Sequence, residues 1–425
     1  MPASDPVRLR IFSLNCWGIR YLSKLCDERY AMIGDLLSRE QHDVVLLQEV
    51  WSEKDFNFLK TKLGSTHQYS YYFKSGFFGS GLAVFSRHRI HDVFLYKYSL
   101  NGYPYMAHHG DWFGGKAVGK VLLNISGLKV HVYVTHLHAE YSREQDSYLP
   151  HRVVQAWDLQ HFIRHTSAGA DVVILGGDLN MHPEDLGIRL LRSYTGLSDS
   201  FKETKSFDGC EQGFTHITEN LFTHTPELIP FGGGVRIDYI FFKGTKRANV
   251  SCESLSTTKG SVPGHPFPYS DHEALNAELL LSPLEEEKED STRKNECTAD
   301  KLSDLINTVT EARTEVKVGL HCAERMRYTA ARTGIMGLAL LLLELAIAAV
   351  PCFSLGAEQP FPKASFYLLG ALCFAILLSA LLLYIFYGME VKSLQGAEDQ
   401  MRLAVGSLQE RLKENLNPDT PETED

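Results

Sequence analysis

The stretch Asp171-Val-Val-Ile-Leu-Gly-Gly-Asp-Leu-Asn180 decides how the first two thirds of this chain are interpreted. Its run of β-branched and aliphatic residues predicts a buried strand. Polar residues follow at once in a Gly-Asp-x-Asn turn. Strand ends of this kind are where α/β folds place catalysis, so Asp178 and Asn180 are candidate site residues.

Similar runs recur on both sides of this stretch and indicate the fold class. Apolar, β-rich segments occupy residues 9–14, 43–50, 81–85, 129–135 and 237–242. Helical periodicity is found at 24–38 and 143–165. Strands alternate with helices, but several neighbouring strands leave no room for a helix between them. The pattern predicts an α/β fold with mixed sheets over residues 1–282.

The last third of the chain has a different composition. Residues 283–300 are charged and nearly free of apolar side chains, which favours a linker over an exposed helix face. Residues 334–353 and 364–388 are almost wholly apolar, and about 20 residues of helix cross the roughly 30 Å of a bilayer core. We expect a two-helix transmembrane hairpin. Amphipathic stretches at 301–333 and 389–425 predict a juxtamembrane helix, and a cytosolic helix with an acidic tail.

Basic residues and cysteines predict the orientation of this hairpin. Lys317, Arg325, Arg327 and Arg332 precede the first span, whereas the link between the spans has only Lys363. The positive-inside rule then places both termini in the cytosol. The scattered cysteines, without a CxxC pair, agree with a reducing compartment, and the N-terminus lacks the apolar core of a signal peptide.

Two features of the spans leave alternatives open. Ala371, Ala375 and Ser379 recur at four-residue spacing, which permits close helix packing and a homo-oligomer, or reflects an alanine-rich span by chance. Glu344 lies inside the first span, where an acid marks a site or a buried contact. Because no second charge accompanies it, a packing role is favoured over transport.

The overall charge bears on the class of partner. The formal net charge is −10. Nucleic-acid binding usually needs a basic face, so the composition argues against such a partner. The apolar spans instead predict a bilayer as the main partner.

The polar residues at the strand ends form a set suited to phosphodiester hydrolysis. That reaction needs positive charge at the phosphate oxygens, an activated water and a protonated leaving group. Glu49 and Asn15 offer oxygen ligands to a hard cation such as Mg²⁺. His272 is a candidate base, oriented by Asp238 or Asp271.

Other members of the set fit the remaining tasks. His136 is a candidate for stabilising developing charge or protonating the leaving alkoxide, and Asp178 and Asn180 are candidates for aligning water and phosphate. None is an obvious covalent nucleophile, so direct attack by water is favoured. Each residue alone is also explained as a turn residue or a buried structural group, and only the ordered set favours catalysis.

This ordered set resembles the endonuclease–exonuclease–phosphatase superfamily over about residues 8–282. The motifs that carry the resemblance are Asn15, Gln48-Glu49, His136-Leu137, Gly177-Asp178-Leu179-Asn180, Asp238 and Ser270-Asp271-His272. The resemblance implies a deoxyribonuclease-like four-layer α/β sandwich with the site at one sheet edge. It implies that Glu49, assisted by Asn15, binds Mg²⁺, with Mn²⁺ as a substitute. It makes His272 the general base, and the share of that duty held by Asp178 stays open.

Longer motifs resemble the neutral sphingomyelinases within that superfamily. They are Asn-Gly-Tyr-Pro-Tyr at 101–105, His-Gly-Asp-Trp-Phe-Gly-Gly-Lys-Ala-Val-Gly at 109–119 and Thr-His-Leu-His-Ala-Glu-Tyr at 135–141. A catalytic domain followed by a C-terminal membrane hairpin is similar to the type 1 vertebrate group. The resemblance implies Mg²⁺-dependent hydrolysis of sphingomyelin to ceramide and phosphocholine. It implies substrate contacts from Asn180, Lys116, Asp111 and His138, although a solvated side chain explains Lys116 equally well.

The sequence leaves two other functions open. A phospholipase C acting on lyso-choline lipids, such as lyso-platelet-activating factor, would use the same headgroup chemistry. A non-catalytic membrane scaffold would use an inactive domain. The resemblance also suggests the endoplasmic reticulum, with Golgi or nuclear membranes as alternatives, and an activating anionic phospholipid. Aromatic loop tips at 75–79 and 103–105 are expected either at the bilayer surface or in the core.

Overall fold

The computed structural model describes residues 5–106, 108–284, 299–353 and 362–416. Most of the predicted linker, the link between the spans and the acidic tail lie outside the described residues. The chain divides into two compact units, one of residues 1–312 with 408–425 and the other of residues 313–407.

The first unit combines many strands with short helices. The strands are β1 Val7–Asn15, β2 Val44–Gln48, β3 Tyr69–Phe73, β4 Leu82–Ser86, β5 Ile90–Lys97, β6 Ala117–Ile125, β7 Leu128–His136, β8 Val172–Asp178, β9 Ser198–Asp199, β10 Phe207–Asp208, β11 His216–Ile217, β12 Gly234–Val235, β13 Asp238–Gly244, β14 Ala248–Thr257 and β15 Leu275–Pro283. The helices along the chain are α1 Cys26–Glu40, α2 Glu53–Lys62, α3 Asp111–Gly114, α4 Leu149–Thr166, α5 Leu186–Thr195, α6 Ser200–Glu203, α7 Ala299–Phe353 and α8 Lys363–Leu416. Short 3₁₀ turns occur at Glu211–Gly213, Thr225–Glu227 and Ile229–Phe231.

Two large sheets organise this unit. One has the strand order β10-β14-β15-β1-β2-β4-β3 and the other β5-β6-β7-β8-β13-β9, while β11 and β12 form a small ribbon. The pairs β1–β2 and β7–β8 are parallel, whereas β1–β15, β6–β7 and β8–β13 are antiparallel. The predicted mixed sheets are confirmed.

Alternation of side chains along the strands builds three apolar layers. Leu9 of β1 packs in a core shared with Ile174 of the other sheet, whereas Phe12 faces the layer that holds α1 and α2. Leu175 of β8 faces α4 and α5 on the opposite side. Burying each such side chain contributes roughly 1.5–3 kcal/mol. The order helix, sheet, sheet, helix confirms the predicted four-layer sandwich.

One helix begins later than the sequence pattern predicts. The periodicity at 143–165 predicts a helix from Arg143, but α4 begins at Leu149. Pro150 occupies its first turn, where no backbone N–H is needed. Arg143 stays in the preceding loop because its guanidinium forms two hydrogen bonds with the carboxylate of Asp185, at 3.0 and 2.6 Å.

The C-terminal helices α7 and α8 are long and continuous. The helix α7 shows no break between the predicted juxtamembrane and transmembrane segments. In the second unit the helices pair antiparallel: Glu344 of α7 lies against Gly370 of α8, and Arg313 near the other end bonds Glu398 at 2.7 Å. Both helices are long and apolar enough to cross a membrane, which indicates a membrane-bound protein.

Candidate active site

The inner faces of the two sheets end in polar residues at one edge of the sandwich. Asn15, His136 and Asp178 are the last residues of the strands β1, β7 and β8, and Asp238 is the first residue of the antiparallel strand β13. His136 is in register with Asp178, which is in register with Asp238. Because side chains alternate along a strand, these four face the same interior side as the apolar core residues an even number of positions away in each strand. The sheets therefore bring the predicted residues together.

Glu49 and Asn15 form one side of the cleft. The Asn15 Nδ2 donates to Glu49 Oε1 at 3.1 Å and to Asp178 Oδ2 at 3.0 Å, while its Oδ1 accepts the backbone N–H of Trp17 at 3.0 Å. The Trp51 indole donates to Glu49 Oε2 at 3.3 Å. Asn15 thereby holds two carboxylates at a fixed separation.

Three residues around the cleft have left-handed backbones. Trp17, Glu49 and Asn180 have φ angles of 46°, 55° and 48°. Such conformations cost of order 1–3 kcal/mol for residues other than glycine and concentrate at functional sites. Gly81 packs on Glu49, and a Cβ added to this glycine would lie 3.2 Å from the Glu49 Cα.

His272, Asp238 and Asp178 form the second side of the cleft. The His272 Nδ1 lies 2.8 Å from Asp238 Oδ2, and its Nε2 lies 3.9 Å from Asp178 Oδ2. Burial would lower the pKa of His272, but the charges of Asp238 and Asp178 raise this pKa well above its usual value. Burial raises the pKa of Asp238. Burial would also raise the pKa of Asp178, but His136 and His272 hold that pKa below its usual value.

The predicted alternative orienting acid, Asp271, has a different environment. Its carboxylate accepts a hydrogen bond from Ser270 Oγ at 3.1 Å, whereas Asp238 makes the bond to the His272 imidazole. Burial raises the pKa of Asp271 to about 6; His272 opposes the rise and the negative charge of Glu49 adds to it. Asp271 thus contributes a further negative group beside Glu49.

A chain of buried polar contacts joins His136 to the glycine-rich loop. The His136 Nε2 lies 3.3 Å from Asp178 Oδ2 and 2.8 Å from the Lys116 ammonium, and Lys116 lies 3.1 Å from Asp111 Oδ1. The Nε2 atom cannot donate to Asp178 and accept from Lys116 at the same time. Lys116 is 2% exposed, so it is not the solvated side chain that the sequence left open.

His138 and Asn180 hold the loops beside this chain of contacts. The His138 Nε2 lies 3.7 Å from Asp111 Oδ2, and a Cβ on Gly102, whose φ is 82°, would lie 2.4 Å from the same His138 atom. The Asn180 backbone N–H donates to Asp178 Oδ1 at 2.9 Å, and its Nδ2 donates to the backbone oxygen of Leu137 at 3.1 Å. His138 is therefore a supporting residue behind Asp111.

Sequence reasoning missed residues that support the cleft from behind. The Arg29 guanidinium is fully buried and bonds the backbone oxygens of Cys16 at 2.7 Å and Tyr269 at 3.0 Å. It thereby ties the loop after Asn15 to the loop before His272. An arginine within a helix carries no sequence signal for such a role, because its acceptors lie more than two hundred residues apart.

Two further missed residues lie against His272 and Asp238. The Thr215 Oγ1 accepts the backbone N–H of Asp238 at 3.1 Å. The His216 ring stacks on the His272 ring, with centroids 5.2 Å apart and planes 11° from parallel. Burial, followed by the charge of His272, lowers the pKa of His216 to about 3, so this ring is neutral at neutral pH.

The donor set fits a hard divalent cation near Glu49. Glu49, Asp178 and Asp271 contribute negative charge to one cleft, and among the described residues neither Lys nor Arg forms an ion pair with Glu49. Ligand atoms of Asp178, Asp238 and His272 also lie within 4.8 Å of one another. That second group already pairs internally, so the Glu49 side is the better candidate for Mg²⁺.

The chain is similar in sequence and in fold to known proteins. Residues 12–272 match the Endonuclease/Exonuclease/phosphatase family. The chain is 49% identical to sphingomyelin phosphodiesterase 2 of Mus musculus over 355 residues, covering 82% of this chain and 83% of that protein. It is 44% identical to sphingomyelin phosphodiesterase 2 of Homo sapiens over 419 residues, covering 99% of this chain and 96% of that protein. The fold is similar to that of sphingomyelinase C from Streptomyces griseocarneus, with a TM-score of 0.50 and 18% identity, covering 64% of this chain and 99% of that one.

Proposed function

The chain belongs to the Endonuclease/Exonuclease/phosphatase family and, within it, to the sphingomyelin phosphodiesterases, and on that premise we propose Mg²⁺-dependent hydrolysis of sphingomyelin to ceramide and phosphocholine. The observation that carries the proposal is the shared cleft in which His272 faces Asp178 while Glu49 lies on the other side. Glu49 from early in the chain and His272 from much later in the chain thus line the same cleft.

Metal binding is assigned to the side of the cleft that has excess negative charge. Glu49 is the main ligand, and Asn15 assists it by fixing the Glu49 carboxylate through a hydrogen bond from Nδ2. A Mg²⁺ held by these residues would supply positive charge that offsets the negative charge developing in the reaction. Mn²⁺, which accepts similar oxygen ligands, is the expected substitute.

Phosphate binding is assigned to His136 and Lys116. Because the His136 Nε2 lies close to both Lys116 and Asp178, it can either accept a hydrogen bond from Lys116 or donate one to Asp178. A phosphate oxygen would accept hydrogen bonds from both Lys116 and His136 and remove that competition. Asn180, held rigidly over Asp178, is the third group assigned to the phosphate or the attacking water.

The chemical step is direct attack by water. The His272 Nε2 takes a proton from the water as its oxygen bonds to phosphorus, and the bond from phosphorus to the ceramide oxygen breaks. Asp238 keeps the imidazole oriented through Nδ1. His272 is assigned this role rather than Asp178 because both Asp178 oxygens already accept hydrogen bonds, from Asn15 and from the Asn180 backbone, whereas the His272 Nε2 lies 3.9 Å from Asp178 and faces the cleft. Protonation of the leaving alkoxide is the alternative role of the same His136 N–H.

Access to lipid is assigned to the aromatic loop at 75–79. Phe77 is 81% exposed and Phe78 is 58% exposed, so these two are not core residues. Aromatic side chains favour the membrane interface. With both termini in the cytosol by the positive-inside rule, the reaction takes place at the cytosolic leaflet, and the endoplasmic reticulum is the proposed compartment.

The test is phosphocholine release by the purified full-length protein in mixed micelles. Sphingomyelin and a lyso-choline phospholipid are compared across a Mg²⁺ titration, with and without an anionic phospholipid. We expect Mg²⁺-dependent release from sphingomyelin and a loss of about 10³-fold in His272→Ala. His265→Ala, an exposed histidine in the same segment, is the control.

Two results would contradict this proposal. One is release that persists after the metal is chelated, and the other is full activity in His272→Ala. A readout independent of activity is the rise in melting temperature on adding Mg²⁺, which Glu49→Gln should abolish. Faster cleavage of the lyso-choline lipid than of sphingomyelin would make the lyso-choline lipid the preferred substrate without contradicting the proposed mechanism.

A further inference from the structure

A group of stacked aromatic rings lies beside the cleft and has no role in the mechanism above. We call it the aromatic wall, and its members are Tyr103, Tyr105, His109, Tyr141 and Tyr148. The Tyr141 ring stacks on His109 at 3.6 Å and 10°, and Tyr103 stacks on Tyr105 at 5.3 Å and 21°. Tyr148 joins the two pairs, because its ring centroid lies 5.2 Å from that of Tyr103 and 5.9 Å from that of Tyr141.

The aromatic wall adjoins the groups assigned to phosphate. The Tyr141 hydroxyl donates to Asp111 Oδ2 at 2.6 Å, and the other oxygen of that carboxylate lies 3.1 Å from the Lys116 ammonium. Lys116 in turn contacts His136. A phosphate that contacts Lys116 would therefore lie one carboxylate away from Tyr141, since Asp111 contacts both Lys116 and the Tyr141 hydroxyl.

The aromatic wall carries no positive charge at neutral pH. Burial lowers the pKa of His109, and burial lowers the pKa of the adjacent His138 to about 3, so both imidazoles are neutral. The positive charge of Lys116 is balanced by Asp111. A cation approaching the wall meets the negative faces of neutral rings without electrostatic repulsion.

Two members of the wall offer open surface. Tyr141 is 42% exposed although one of its faces is covered by His109, and Tyr105 is 48% exposed. A trimethylammonium group has no N–H to donate, so aromatic faces rather than hydrogen-bond acceptors are its natural partners.

We propose that the aromatic wall, with Tyr141 as its main face, binds the trimethylammonium group of a choline headgroup. This inference rests on the proposed function, since it concerns the other end of the same phosphocholine. Sphingomyelin and lyso-choline lipids share this group, so the wall selects the headgroup and leaves selection of the lipid to other residues.

The test compares choline substrates with uncharged isosteres. In the isostere a 3,3-dimethylbutyl group replaces choline, which keeps the shape and removes the charge. Initial rates at low substrate are measured for both headgroups on ceramide and on a lysolipid backbone. We expect the full-length protein to cleave the choline compound about tenfold faster than its isostere on each backbone.

Variants at Tyr141 separate the ring face from its hydroxyl group. Tyr141→Leu should reduce the choline-to-isostere ratio to about one, whereas Tyr141→Phe, which keeps the ring and loses the bond to Asp111, should retain most of the ratio. Phe94→Leu is the matched control, because Phe94 is a 55% exposed ring that stacks on Phe162 elsewhere in the sandwich. The ratio should not change in Phe94→Leu.

Two outcomes overturn the proposal: a ratio near one in the unmodified protein, or an unchanged ratio in folded Tyr141→Leu. Failure of the proposed function looks different, since neither headgroup would then be hydrolysed. In that case, the affinities of phosphocholine and of 3,3-dimethylbutyl phosphate, measured by calorimetry, still test whether the aromatic wall binds the trimethylammonium group. Equal affinities would overturn the proposal, and tighter binding of phosphocholine that depends on Tyr141 would support it.

Discussion

The sandwich buries its apolar side chains, whereas the helices α7 and α8 leave most of theirs exposed. In the sandwich, Leu46 and Ile174 are fully buried between the sheets. In the most apolar windows of α7 and α8 only 11% of the residues are buried, and Leu342 and Leu382 are 57% and 59% exposed. Exposed apolar surface of that extent is costly in water and favourable in lipid. The difference indicates that water surrounds the first region and that the second is membrane-bound.

Polar groups follow the same division. Inside the sandwich, the buried charged residues Asp178 and Arg29 each have several hydrogen-bond partners. Between α7 and α8, Glu344 is 5% exposed and lies against Gly370. At one edge of the sandwich, Asp178, Asp238 and His272 form a group of buried titratable residues, and that group belongs to the candidate site.

The largest expected effect concerns a buried charge of the sandwich. In Asp238→Asn the amide no longer fixes the His272 imidazole, and we expect kcat to fall about 10³-fold while the melting temperature changes little. Steady-state phosphocholine release measures the effect. Asp208→Asn, at an exposed aspartate paired with Lys259, is the control. A loss below tenfold in Asp238→Asn would remove Asp238 from the mechanism.

A pair of leucine substitutions tests the contrast directly. Leu46→Ala leaves a cavity between the sheets and should lower the free energy of unfolding by about 3 kcal/mol. Leu342→Ala removes a lipid-facing side chain and should change it by less than about 1 kcal/mol. Denaturant unfolding of the full-length protein in micelles gives both values. Equal losses would mean that the exposed face of α7 is covered by protein rather than by lipid.

Acid should weaken the sandwich through its buried histidines. Burial, and then the charge of Arg10, lowers the pKa of His42 to about 4, below the value of about 6.5 expected in the unfolded chain. The unfolded state therefore binds more protons between pH 6.5 and pH 4, so stability falls as the pH falls through that window. We expect His42 to account for about 2 kcal/mol of the loss at pH 5.

The measurement is the free energy of unfolding at pH 7 and pH 5 in the unmodified protein and in His42→Gln. Glutamine can still donate to the Asn276 side chain, which His42 contacts at 2.8 Å. The variant should lose less stability on acidification. The same loss in both proteins would show that His42 does not change protonation on unfolding in this range.

The smallest expected effect compares two glycines of α8. Gly388→Ala gains helix propensity of roughly 1 kcal/mol, and no atom lies within 4 Å of the added Cβ. In Gly370→Ala the new Cβ would lie 3.0 Å from Glu344 Oε1, so crowding offsets that gain. Thermal unfolding of the helices by circular dichroism in micelles should rank Gly388→Ala above Gly370→Ala. The reverse order would mean that Glu344 moves away without cost.

Patterns along the sequence predicted most of the fold because they depend on near neighbours. Short apolar, β-rich runs marked the strands, and long unbroken apolar runs marked the spans. The start of α4 was wrong because the contact of Arg143 with Asp185 is not local. The polar strand ends pointed to a site, but the sequence left Asp238 and Asp271 as equal partners for His272.

What the sequence determined by itself was the class of fold, two apolar spans and a set of residue types suited to phosphodiester chemistry. Tertiary structure alone decided which of those residues meet: it gave the His272 bond to Asp238, buried Lys116 against His136, and brought Arg29 between two distant loops. The physical reason is range. Hydrophobic period and turn chemistry act over a few residues, whereas hydrogen bonds and charge pairs depend on distances that only packing of the two sheets sets.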